Sequence, residues 1–265
     1  AQNAYYHLGE SYFKTDKKQQ ALNAFKNASE MNFDLKIQED ANLNYAKLSY
    51  EIGNSYQSVP DVLYAFIEKY PNSTAKTEIE TLLINSYITT KNYKGALDLL
   101  EKNKTTNRAA YQKVTFYRGL ELYTDGSYKE AYSMFKKSIA EPRDAKFTAR
   151  ATFWKGETDY VLDNFNEALQ SFKNFAATPE SKSTPENKNI NYNIAYAYFK
   201  MKEYDQAGNY FQNHIDVVKE DKVRLNDSYL RLGDCRFVMA KYWPAMDAYN
   251  KVVELKSVDA DYAAF

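Results

Sequence analysis

Tyr5-Tyr6-His7-Leu8-Gly9-Glu10-Ser11-Tyr12, followed by Ala21-Leu22-Asn23-Ala24-Phe25-Lys26-Asn27-Ala28, is the stretch that decides the fold. Its first half sets apolar residues and a glycine at helical spacing, and its second half sets a small residue four positions before a ring. The second half returns every 35 to 39 residues, as Ala131/Phe135, Ala168/Phe172, Ala207/Phe211 and Ala245/Tyr249, with Ala96/Leu100 as a variant. The 75 residues from Ala21 to Ala96 leave room for one more copy, and Val59/Leu63 falls at the expected place. Seven registered copies predict a stack of similar units. In such a stack each unit packs only on its neighbours, and the whole offers surface rather than one buried catalytic centre.

Each copy reads as two amphipathic helices. The first carries a small residue at a fixed place (Gly9, Gly119, Gly156, Ala195, Gly233), where glycine costs about 1 kcal/mol of helix propensity. That repeated cost predicts close approach of a neighbouring helix. The second opens with a ring three residues before the small one, as in Tyr93/Ala96, Tyr128/Ala131, Phe165/Ala168, Tyr204/Ala207 and Tyr242/Ala245. Pro60 and Pro244 sit near the starts of such helices, where a missing N–H does little harm. In the longest interruption, 178–186, Thr184 is placed as an N-cap with Pro185 in the first helical position. The expected organisation is one solenoid over 1–265, with units near 2–38, 39–75, 76–110, 111–147, 148–186, 187–224 and 225–257 and a further helix beginning in 258–265.

Composition agrees. Lys plus Arg and Asp plus Glu number 35 each, so no net field draws the chain to nucleic acid or anionic lipid. Eight Gly and six Pro are too few for a turn-rich β protein of 265 residues. The lone Cys235 excludes an intrachain disulfide, and its helical setting makes it a buried, inert thiol. No apolar run reaches the ~18 residues that span a membrane, so direct insertion is not expected. The first residues show no charged leader before an apolar stretch, and both ends read as cut through a repeat, as in an excerpt of a longer chain.

The repeated residues resemble the tetratricopeptide repeat: an aromatic or Leu, Leu-Gly and Tyr in the first helix, then Tyr-x-x-Ala-x-x-x-Phe in the second. The match is near complete for Tyr5, Leu8, Gly9, Tyr12, Ala21, Phe25 and Ala28, and good around Gly119 and Gly233. Departures are the long units, the missing small residue and Ala between Tyr45 and Tyr70, and Arg118 and Lys155 in place of Leu. The resemblance implies an all-α fold, a right-handed superhelical solenoid of about seven antiparallel helix pairs. Its first helices would line a concave groove that binds a peptide or partner protein. Residues 66–73, Phe-Ile-Glu-Lys-Tyr-Pro-Asn-Ser, are also similar to bacterial cell-envelope members, which favours the periplasm or envelope over the cytoplasm.

If first helices line a groove, rings seven residues apart share its face: Tyr6/Phe13, Phe116/Tyr123, Phe153/Tyr160, Tyr192/Phe199 and the half-kept Leu230/Phe237. Between them lie Glu10, Leu120, Glu157, Tyr196 and Asp234. A groove so lined suits extended peptides with apolar and basic side chains. The competing reading is that these rings seal contacts between units. The cationic trio that grips a C-terminal carboxylate in some members is absent, Tyr6, Glu10 and Asn44 standing there instead, with Arg150 and Lys200 as isolated charges.

Nothing in the sequence points to a cofactor, a metal or catalysis. His7 and His214 lie 207 residues apart, and there is no Gly-rich phosphate loop or His-Glu-x-x-His. Lys17-Lys18 and Lys136-Lys137 are too short for the basic stripe of a nucleic-acid binder. The expected role is a non-enzymatic protein-interaction scaffold. The alternatives are a docking or spacer segment of a larger cell-envelope enzyme or transport assembly, and a carbohydrate binder using the ring-lined groove.

Overall fold

Apolar residues three and four apart close into a helix wherever the sequence repeats them. The computed structural model describes residues 1–102, 107–218, 220–255 and 263. Among them all regular structure is helical, in fourteen α-helices that form seven consecutive pairs. The pairs are α1 (Gln2–Lys14) with α2 (Lys18–Ser29), α3 (Leu35–Ile52) with α4 (Val59–Lys69), and α5 (Lys76–Thr89) with α6 (Tyr93–Lys102). Next come α7 (Arg108–Thr124) with α8 (Tyr128–Ile139) and α9 (Ala145–Val161) with α10 (Phe165–Ala177). The last are α11 (Ile190–Lys200) with α12 (Tyr204–Val217) and α13 (Lys222–Val238) with α14 (Tyr242–Leu255). The helix expected from 258 onward lies outside the described residues, Ala263 excepted. The chain divides into two compact units, Ala1–Ala110 and Tyr111–Phe265.

Six of the seven pairs turn on the same three-residue corner. Its middle residue is left-handed: Asp16, Lys91, Gly126, Asp163, Lys202 or Ala240, with φ between 58 and 78°. The N–H of its third residue bonds back to the first helix, as Lys17 N to Tyr12 O at 2.9 Å and Lys241 N to Arg236 O at 2.9 Å. This 6→1 bond satisfies a carbonyl that the helix end would otherwise orphan. The exception is α3–α4, which bends at Gly53 (φ 80°) and takes six residues to reach α4.

That longer connection shifts the register of the second pair. In the other six second helices the small residue is the fourth, and counting likewise from Val59 gives Val62 and Phe66 rather than Val59 and Leu63. Val62 and Phe66 are 4% and 3% exposed, while Val59 occupies the first turn half-buried. First helices also start earlier than the spacing suggests, at Leu35, Arg108, Ala145 and Lys222. Each is led by an Asp or Asn whose side chain accepts from the first turn: Asp34 from Lys36 N, Asn107 from Ala110 N, Asp144 from Lys146 N and Asp221 from Arg224 N. Thr184 does precede Pro185 at a helix start, but its side chain accepts no capping bond. Its hydroxyl donates to the Ser181 carbonyl at 2.6 Å, Pro185 opens a 3₁₀ turn (Pro185–Asn189), and α11 begins only at Ile190.

The small-residue positions explain how each pair closes. A Cβ built on Gly119 would stand 2.6 Å from the Phe135 ring, and Gly9, Gly156 and Gly233 meet Phe25, Phe172 and Tyr249 the same way. In these four pairs the ring of the second helix lies against the bare backbone of its own first helix. Ala21, Ala96, Ala131, Ala168 and Ala207 are fully buried beside these contacts.

Candidate functional site

In the unit Tyr111–Phe265, residues of the first helices α9, α11 and α13 converge on a cavity of about 380 Å³. Phe153, Trp154 and Tyr192 wall it, and Arg150, Glu157, Glu186, Asn189, Asn193 and Arg224 supply its polar lining. The carboxylate of Glu186 anchors it. One oxygen accepts from Arg150 Nε at 2.9 Å, Arg150 Nη2 at 2.9 Å and Trp154 Nε1 at 3.0 Å. Its other oxygen is buried and meets no hydrogen-bond donor among the described residues, and the same holds for Asn189 Oδ1. The Arg150 guanidinium also lies 4.7 Å over the Phe116 ring.

Glu157 accepts a short hydrogen bond from Asn193 Nδ2 on the next first helix. Burial pushes its carboxyl up to about 7, against the donated bond and the charge of Arg224. Arg224 is held by its own acid, Nη1 lying 2.6 Å from Asp221 Oδ2. Beside the cavity, Tyr192 and Tyr196 donate to one oxygen of Asp227 at 2.9 and 2.6 Å. Arg231 joins this set through Asp234 at 2.8 Å, which also accepts from Tyr249 at 2.9 Å. Burial and these acids push both tyrosine hydroxyls above their ordinary range.

A second, larger cavity of about 880 Å³ lies among α11–α14, with Phe199, Phe237, Val238, Tyr242 and Met246 in its lining. Phe199 and Phe237 each meet the opening ring of their own second helix edge-on, Tyr204 and Tyr242, at 5.5 Å. Tyr123 with Tyr128 and Tyr160 with Phe165 repeat that contact at 5.3 and 5.4 Å.

The ring pairs expected to share a groove face are therefore split. Phe116 (0% exposed) packs on Phe135 and Phe147, and Phe153 (5%) on Phe172 and Phe175. These two are core residues, because at their place in the helix the stripe faces the partner helix, although Phe153 still touches the cavity. In the unit Ala1–Ala110, Tyr6 bonds Asp40, Glu10 pairs with His7 at 2.7 Å on the surface, and Phe13 is half exposed. Arg150 is not an isolated charge, being paired with Glu186. Trp154, Glu186, Asn189, Asn193 and Arg224 escaped the sequence reading. For Glu186 and Asn193 the signal was a donor and an acceptor one repeat apart, Arg150 with Glu186 and Asn193 with Glu157. Cys235 is buried, and burial pushes its thiol up to about 12. Among the described residues no group of His, Cys, Asp and Glu is placed to hold a metal ion, and no helix is long and apolar enough to cross a membrane.

The repeated pairing of small residue and ring has its counterpart among known proteins. The family described as Tetratricopeptide repeat matches residues 2–35 and 189–215. Those two stretches are tetratricopeptide repeats. No curated protein sequence matches this chain. Among solved structures it is similar to the C-terminal part of a TPR repeat-containing protein from Cytophaga hutchinsonii, at TM-score 0.58 and 15% identity over 98% of this chain and 99% of that one. It is also similar to YrrB, described as a TPR protein with an unusual peptide-binding site, at TM-score 0.55 and 15% identity over 77% and 97%. MamA follows at TM-score 0.52 and 18% identity over 72% and 97%. These likenesses are of fold. The tetratricopeptide-repeat fold is that of a protein-interaction scaffold.

Proposed function

We propose that this chain binds an extended peptide of a partner protein along the first-helix face of Tyr111–Phe265. The observation that carries the reading is the cavity on α9, α11 and α13. There, polar groups of three successive first helices and of the 3₁₀ turn Pro185–Asn189 line one space. The larger cavity beyond it adds apolar rings and Met246, which suits the side chains that an extended peptide projects alternately.

An array of 12-residue peptides probed with the chain tests this reading. Saturable retention of a subset is expected, lost when Asn193→Arg fills the cavity while circular dichroism stays unchanged. Retention of no peptide, or retention that Asn193→Arg leaves intact, would overturn it.

A further inference from the structure

We propose that the cavity on α9, α11 and α13 receives an alkylammonium group, the lysine side chain of a bound peptide. The inference rests on the peptide-binding reading above and narrows it. Two cations line the space, Arg150 and Arg224, and each is already committed to an acid of its own, Glu186 and Asp221. Glu157 is left over. It accepts from the neutral amide of Asn193, and its raised carboxyl is the mark of a desolvated acid without a cation in contact. Nearby Asp227 is held by two tyrosine hydroxyls, and its ion-pair distance to Arg231 is 3.5 Å.

The two carboxylates in the lining, Glu157 and Glu186, are both acceptors, which favours a guest that donates. An ammonium carries three donors and no acceptor, whereas a carboxylate would face Glu157 and Glu186 with like charge. Phe153, Trp154 and Tyr192 form walls against which a four-carbon stem packs, and Tyr and Trp faces attract a cation. A cavity of about 380 Å³ has room for such a side chain.

The indole N–H of Trp154 bonds the same carboxylate that would receive the guest, so its ¹⁵N–¹H resonance reports on the cavity. Trp243, 77% exposed and outside the cavity lining, is the internal control. Titration with n-butylammonium should shift the Trp154 indole signal saturably and leave Trp243 in place, while n-butyrate should shift neither. Glu157→Gln and Glu186→Gln should each weaken the response about tenfold, the loss of one charge-assisted hydrogen bond. Glu157→Gln is isosteric and removes a buried charge, so it decides the matter should Glu186→Gln fail to fold. Acetyl-Gly-Lys-Gly-amide binding more tightly than putrescine identifies a peptide as the source of the group, and the reverse order overturns that part of the proposal.

An unmoved Trp154 signal, or an equal response to n-butyrate, would overturn the inference whatever the peptide array gives. Should the array retain nothing while n-butylammonium saturates, the cavity keeps its cation and the peptide reading falls. Should the array retain peptides that bind equally with norleucine for lysine, the peptide reading stands and this inference falls.

Discussion

The side chain of Gln112 clasps the backbone of Asp144, its oxygen accepting from the Asp144 N–H at 2.7 Å and its nitrogen donating to the Asp144 carbonyl at 3.0 Å. Gln2 does the same to Asp34, at 2.8 and 3.1 Å. In both cases a glutamine near the start of one first helix holds the N-cap of the next. One amide thus fixes where the following repeat begins.

Gln112 is 1% exposed, so its loss opens a gap and leaves the partly buried N–H groups of Arg143 and Asp144 without that partner. Gln112→Ala is expected to cost about 1–3 kcal/mol, read as a lower urea midpoint at unchanged slope. An unaltered midpoint would show that water replaces the amide at no cost.

Gly119→Ala places a methyl group 2.6 Å from the Phe135 ring and should lose about 1–3 kcal/mol by overpacking. Gly208→Ala is the matched opposite. The nearest atoms there stand 3.6 and 3.7 Å away, and the helix gains up to about 1 kcal/mol of propensity. Melting curves of the two variants should move in opposite directions.

Stability should fall off on both sides of a slightly acidic optimum. Burial raises the Glu157 carboxyl from 4.5 to about 7, so the folded chain keeps a proton there that the unfolded chain releases, and stability declines as pH rises across that interval. His214 works the other way. It is fully buried against Ser228 Oγ at 2.9 Å, and burial lowers it from 6.5, so the unfolded chain takes up a proton that the folded one refuses and stability drops as pH falls below 6.5. Glu157→Gln should remove the alkaline decline and stabilise the chain at pH 8 by about 1–3 kcal/mol. Denaturation midpoints measured from pH 4 to 8 check both limbs.

Ala240 holds φ 58° at the α13–α14 corner, a conformation that costs a residue with a Cβ about 1 kcal/mol. Ala240→Gly should recover much of that and raise the melting temperature, whereas Ala240→Val should lower it.

The helices, their pairing and the close approach at the small residue were legible because each is a periodic signal repeated along the chain; that a ring fills the approach at four glycines was not read. The rest of what escaped detection was aperiodic. The six residues between α3 and α4 moved the second pair's register to Val62 and Phe66, and spacing alone could not distinguish a longer connection from a longer helix. Phe116 and Phe153 share a helical stripe with Tyr123 and Tyr160, yet one end of that stripe dips under the partner helix. Glu157 and Tyr192 were found as groove candidates. Glu186 was not, because a 3₁₀ turn in an insertion carries it to Arg150, and no local pattern foretells that meeting.

The corner shared by six pairs is defined by a bond between main-chain atoms, and its middle position is filled by Asp, Lys, Gly or Ala without change of form. A change of side chain at such an apex therefore carries only a modest conformational penalty. Charge at the hairpin tips differs from repeat to repeat in this chain while the main-chain bond that sets each corner stays the same.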